Sequence, residues 1–120
     1  MEEIKKIQST LKKLVGEREV SKEQMMKMLI QKFPKMWVKD GNDFEEGHGG
    51  IWTGEGSDID VPINLPDESE ELFEIPLFDY YGEEPTYIMG VHHELEDFLT
   101  ENGWMAEAYD GGTYFLYPNY

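Results

Sequence analysis

The chain contains no cysteine. That excludes a disulfide framework, a thiolate zinc site and a thiol nucleophile, and it is compatible with a reducing compartment. Basic side chains are also missing from most of the sequence. All ten lysines and arginines lie in residues 1–39 beside five acids, whereas residues 40–120 carry the remaining 21 of the 26 acids and no base. The regional charges are therefore +5 and −21, and the whole chain carries −16. No stretch approaches 18 uninterrupted apolar residues, and no apolar region follows the opening Met1-Glu2-Glu3-Ile4-Lys5-Lys6. These absences predict a cytoplasmic chain that is neither exported by a standard signal nor membrane-spanning.

What remains is enough to fold. A chain of 120 residues, 39% hydrophobic and 13% aromatic, is of single-domain size and has the material for one core despite its mean hydropathy of −0.61. The expected organisation is one domain over 1–120, with a basic helical hairpin in 1–39 and an acidic α+β body in 40–120.

Ile4, Ile7, Leu11 and Leu14 recur at helical spacing, with Glu2 and Glu3 at the positive end of the helix dipole and Lys12 and Lys13 at the negative end. Gly16 supplies a stop. A second helix is predicted to start at Ser21, with Gln24 completing a capping box, Val20 and Met25 forming a staple, and Pro34 ending it. Its buried stripe is expected to be Met26, Leu29, Ile30 and Phe33. The short connection makes the two helices antiparallel neighbours.

Beyond residue 36 the apolar runs shorten and are punctuated by Gly, Pro, Asp and Asn, so strands are expected at 36–39, 50–53, 72–80 and 87–90. Pro76 implies an edge, a bulge or a break. Segments 40–50 and 55–71 read as long acidic loops. Val91, Leu95, Phe98 and Leu99 define a helix ending at Asn102-Gly103, and a β-hairpin follows over 104–110 and 113–117. The fold class is thus α+β: an N-terminal helical hairpin plus a small, mainly antiparallel sheet with one C-terminal helix and a terminal β-hairpin. Trp37, Trp52, Phe98, Trp104 and Phe115 are expected in the core.

The chemistry-bearing patterns are few. Residues 40–47 begin like a calcium loop but place Phe44 and Glu45 where an oxygen ligand and a glycine belong, so the match fails. Asp58 and Asp60, with His48 if folding brings it near, are the remaining metal candidates, and the same residues would serve a metal-dependent or carboxylate-based enzyme. Adjacent His92 and His93 point in different directions and are no chelating pair. Gly54-Glu55-Gly56-Ser57-Asp58 lacks the order of a nucleophile elbow, and no cation follows Lys39 to hold a phosphate. Two lysine-bearing helices resemble part of a helix-turn-helix, yet the −21 body would repel DNA. No cofactor, no direct nucleic-acid contact and no membrane partner is expected.

The acidic body favours a non-enzymatic interaction protein. Asp58, Asp60, Asp67, Glu68, Glu70, Glu71, Glu83 and Glu84 would meet a basic protein surface, with nucleic-acid mimicry as one form of that role. Tyr80, Tyr81 and Tyr87 are the anchor candidates. An ordinary solvated surface that pairs with the chain's own lysines, or with those of a second copy in a homodimer, would have the same composition.

Gly50-Ile51-Trp52-Thr53, Phe78-Asp79-Tyr80-Tyr81, Gly90-Val91-His92 and the run from Gly103 to Tyr117 give the stretch 50–117 its character. This stretch resembles small bacteriophage-encoded proteins of no established activity. The resemblance implies a phage gene product that occupies a protein of its bacterial host, and it carries no catalytic residue with it.

Overall fold

A computed structural model describes residues 20–119, and the expected first helix with its antiparallel pairing lies outside them. The described residues form an α+β fold of helices and antiparallel strands.

Helix α1 (Lys22–Lys32) starts where local chemistry places it. Ser21 Oγ accepts from the Gln24 N–H, and the Gln24 side chain accepts from the Ser21 N–H, so both halves of the capping box are formed. Val20 and Met25 are buried together as the staple expected. The inward stripe runs through Met25, Leu29 and Phe33, with Met26 partly buried beside it as expected, whereas Ile30 is 51% exposed rather than buried.

Strand β1 (Lys39–Asp40) leads into a single helical turn, α2 (Gly41–Phe44), and then β2 (Ile51–Gly54). Segment 40–50 is therefore not a loose acidic loop. Asp40 caps the turn by accepting from the Asn42 N–H, the Gly41 N–H donates to the Gly50 carbonyl, and the Gly49 N–H donates to the Asn42 side chain. A Cβ at Gly41 would collide with the Gly49 carbonyl, so glycine is needed for this closure.

The longest departure from expectation is at 55–71. Strands β3 (Asp58–Asn64) and β4 (Glu70–Pro76) pair antiparallel over their whole length and make a long hairpin of their own. Their acids occupy alternate or flanking positions on paired strands, a pattern that composition makes look like loop. Pro62 and Pro76 are tolerated because, among the described residues, neither strand has a neighbour on its outer side.

Strands β5 (Tyr87–Ile88) and β6 (Val91–His92) form a miniature hairpin whose Met89-Gly90 turn has positive φ at both residues. A Cβ on Gly90 would meet the Tyr114 hydroxyl. Helix α3 (His93–Glu101) ends at Asn102 with Gly103 in the left-handed region, and strands β7 (Trp104–Ala108) and β8 (Thr113–Pro118) follow as the expected hairpin.

The main sheet has the order β1-β2-β8-β7. Side-chain alternation gives it two faces. Ile51, Tyr114, Leu116 and Trp104 point into the core with α1 and α3, where Trp104 Nε1 donates to the Val20 carbonyl and Phe33 meets Phe98 edge-on. Trp52, Phe115 and Tyr117 point to the other face, which segment 40–50 covers through Phe44 and His48. Trp104 and Phe115 are buried as expected. Trp37, Trp52 and Phe98 are only partly buried, because Trp37 and Trp52 pack against each other near the β1 edge and Phe98 lies at the margin of the core.

Candidate interaction surface

The β3–β4 register determines which acids share a face. Directly paired residues lie on one side, so Asp58, Asp60, Pro62, Glu70, Leu72 and Glu74 form one face, and Ile59, Val61, Ile63, Glu71, Phe73 and Ile75 form the other. The first face is acidic around Leu72, and the second is apolar. Burial declines away from the base: Ile59 packs on the core, whereas Leu72 is 66% and Phe73 48% exposed. The hairpin is an arm with one end anchored.

Lys35 makes the anchor. Its Nζ donates to Asp60 Oδ1 at 2.9 Å and to Glu74 Oε2 at 2.6 Å, and its carbonyl accepts from the Asp58 N–H. These hydrogen bonds to Glu74 and Asp60 push the lysine pKa upward. Asp58 moves the opposite way from a stabilised carboxylate: burial and the neighbouring Glu74 raise its pKa. At the tip, the Ser69 hydroxyl and N–H both donate to Asp67 and hold its carboxyl below the usual range. The Leu65 N–H donates to the Ser69 carbonyl, which closes the turn.

The other expected interaction residues separate into three groups. Asp67, Glu68, Glu70 and Glu71 are exposed at the tip and on β4. Tyr80 and Tyr81 are 53% and 87% exposed and lie edge to face at 5.2 Å, with Glu83 and Glu84 exposed beyond them. An open cleft of about 300 Å³ lined by Pro76, Phe78, Asp79, Tyr80 and Tyr81 joins this tyrosine pair to the base of the arm. Tyr87 is no surface anchor. It is only 7% exposed and its hydroxyl donates to the Pro76 carbonyl, so its polar end is used inside the fold.

Asp58 and Asp60 share one face of the arm, but His48 is not brought to them. The Lys35 ammonium lies against Asp60 and Glu74, and His48 belongs to the aromatic face of the main sheet, stacked on Phe115. Among the described residues no group of three His, Asp or Glu side chains is placed to hold a metal. His92 caps α3, its Nδ1 accepting from the Glu94 N–H, and it stacks on His93. Burial and the neighbouring His93 push the His92 pKa down, in keeping with a ring nitrogen that must stay unprotonated to accept.

Sequence reasoning missed Leu72, Phe73 and Lys35. The available signal was an apolar pair inside a run of glutamates, Glu70-Glu71-Leu72-Phe73-Glu74, shortly before Pro76, which marks an unpaired edge. No helix among the described residues is long and apolar enough to cross a membrane. No protein-family model matches the chain, and neither a curated protein nor a solved structure matches it.

Proposed function

We propose that this chain is a non-enzymatic interaction protein whose β3–β4 arm docks on a basic surface of another protein. The observation that carries the reading is the arm itself, which exposes Leu72 among carboxylates on one face and Phe73 on the apolar face behind it. Opposite charge speeds encounter, and desolvated apolar anchors supply affinity that charge alone does not. Tyr80 and Tyr81, across the cleft from the arm's base, extend the same surface. The likeness to phage-encoded proteins supports a bacterial host protein as the partner. In the same reading, the spacing of Ile4, Ile7, Leu11 and Leu14 supports a basic helical hairpin with α1.

The test is affinity capture from nuclease-treated bacterial lysate at low and moderate salt, with two variants beside the original. One neutralises Asp67, Glu68, Glu70 and Glu71 to Asn or Gln and leaves the Lys35 bridges intact. The other replaces Leu72 and Phe73 with serine. The expected partner is salt-sensitive, lost by the first variant and weakened by the second. A partner held equally by all three proteins would sink the arm as the docking site.

A further inference from the structure

The aromatic face of the main sheet contains a second feature that the acidic arm does not use. The β7–β8 register sets Glu107 directly opposite Phe115, while Tyr117 is two residues along β8 on the same face and Tyr109 follows beyond the end of β7. Together with His48, these side chains line an open pocket of about 150 Å³. A volume near 150 Å³ holds a benzene-sized group. Its walls are fixed from behind. The His48 ring lies 3.9 Å from Phe115 at 31°, and Phe44 packs edge-on against Phe115 and Tyr109, each at 5.1 Å. Tyr109 is nevertheless 58% exposed, so one wall faces solvent.

We propose that the pocket of His48, Tyr109, Phe115, Tyr117 and Glu107 is a binding site for an alkylammonium cation. Aromatic faces carry negative quadrupole density and attract a cation that sheds part of its water, and quaternary ammonium groups are the ligands best matched to such a cage. Glu107 adds the opposite charge at the wall. Among the described residues no lysine or arginine lines the pocket, which disfavours an anion. The same sheet face already holds an ammonium this way: Lys39 Nζ lies 5.2 Å from the Trp52 ring centroid and 5.9 Å from that of Trp37. Burial and Glu107 raise the Tyr117 pKa, so this wall is a neutral phenol in ordinary buffer.

The cation comes either from a free small molecule or from a methylated lysine on another protein, and one titration series separates these sources. Isotope-labelled full-length protein is titrated with choline, with its neutral isostere 3,3-dimethyl-1-butanol, and with a short peptide bearing trimethyl-lysine. Choline or the peptide is expected to give saturable amide shifts concentrated at residues 48, 107–109 and 115–117. The neutral isostere should bind at least about fivefold more weakly, the scale of a partly desolvated cation–π contact. Tyr109→Leu, which keeps bulk without a π face, and Glu107→Gln should each weaken the cation by about two- to fivefold. Tighter peptide binding assigns a protein side chain, and tighter choline binding assigns a free ligand. Equal affinity for the neutral isostere, absence of saturable shifts with both cations, or variants that bind as the original does would overturn the site.

Discussion

The main sheet and the β3–β4 arm obey the same two-residue alternation, yet they meet different surroundings. Strand β8 has a hydrogen-bonded neighbour on each side and is covered on both faces, so Tyr114, Phe115 and Leu116 are all buried. Strand β4 has one neighbour among the described residues, and Leu72 and Phe73 are left in solvent. An isolated two-stranded hairpin is marginal in water. The arm therefore depends on its base, where Ile59 joins the core and Lys35 bridges two carboxylates. Alternation makes a strand, and cover makes it a stable part of the core. A strand that keeps its alternation without cover is available for a partner.

Four measurements test this contrast. The largest effect is expected from Trp104→Ala, which removes a ring fully packed between sheet and helices and should cost about 3–5 kcal/mol in denaturant unfolding. Phe73→Ala on the arm should cost less than about 1 kcal/mol, because the ring is already half in water. Comparable losses at the two positions would show that the arm is covered in solution.

A smaller gain is expected from the turn between β5 and β6. Met89 holds φ 53° while 91% exposed, so no packing offsets the strain of its left-handed backbone. Met89→Gly should relieve that strain and stabilise the protein by about 1 kcal/mol, read from the unfolding midpoint. A loss of stability would mean that the methionine side chain contributes contacts beyond those of its turn.

The third effect is a slope with pH. His92 has a folded pKa below its ordinary value, so the unfolded chain binds more protons in the window between the two. The stability tied to neutral His92 is present above the ordinary imidazole pKa of about 6.5 and is lost as pH falls from there toward the depressed folded value. The thermal midpoint should drop between pH 7.5 and 5.5. His92→Asn keeps a capping acceptor and should flatten that part of the curve. An undiminished slope in the variant would assign the effect to other groups.

The smallest global effect is expected from Lys35→Met. The pair is solvent-exposed, so the overall unfolding midpoint should move little. Local exchange should change instead. Amides of residues 60, 61, 63 and 72–74 should exchange faster while those of β2 and β8 keep their protection, because only the anchor of the arm is lost. Equal acceleration in both regions would make arm and sheet one cooperative unit.

Much of the fold was legible wherever a few neighbouring residues settle the geometry. Ser21 with Gln24 fixed the start of α1, and Asn102-Gly103 fixed the end of α3. The turn of the last hairpin holds Gly111-Gly112, with the Gly112 N–H donating to the Asp110 side chain. Each works through hydrogen bonds or φ preferences within a few positions, so each was readable without knowing what lies across the core. The β3 half of the arm was misread as loop, whereas most of β4 falls within the strand expected at 72–80; the carboxylates of β3 hide a real period of two, and only pairing with a second strand makes that period a structure.

The surroundings of the site residues were settled at longer range. Tyr80, Tyr81 and Tyr87 are chemically alike in the sequence, but Tyr87 finds the Pro76 carbonyl while the other two project into solvent. His48 faces Phe115 rather than Asp58 and Asp60 because Gly41 lets segment 40–50 close over the sheet. Local sequence governs torsions and caps through neighbours a few bonds away. Which face a side chain occupies, and which ring or carboxylate it meets there, follows from the register of strands separated by dozens of residues.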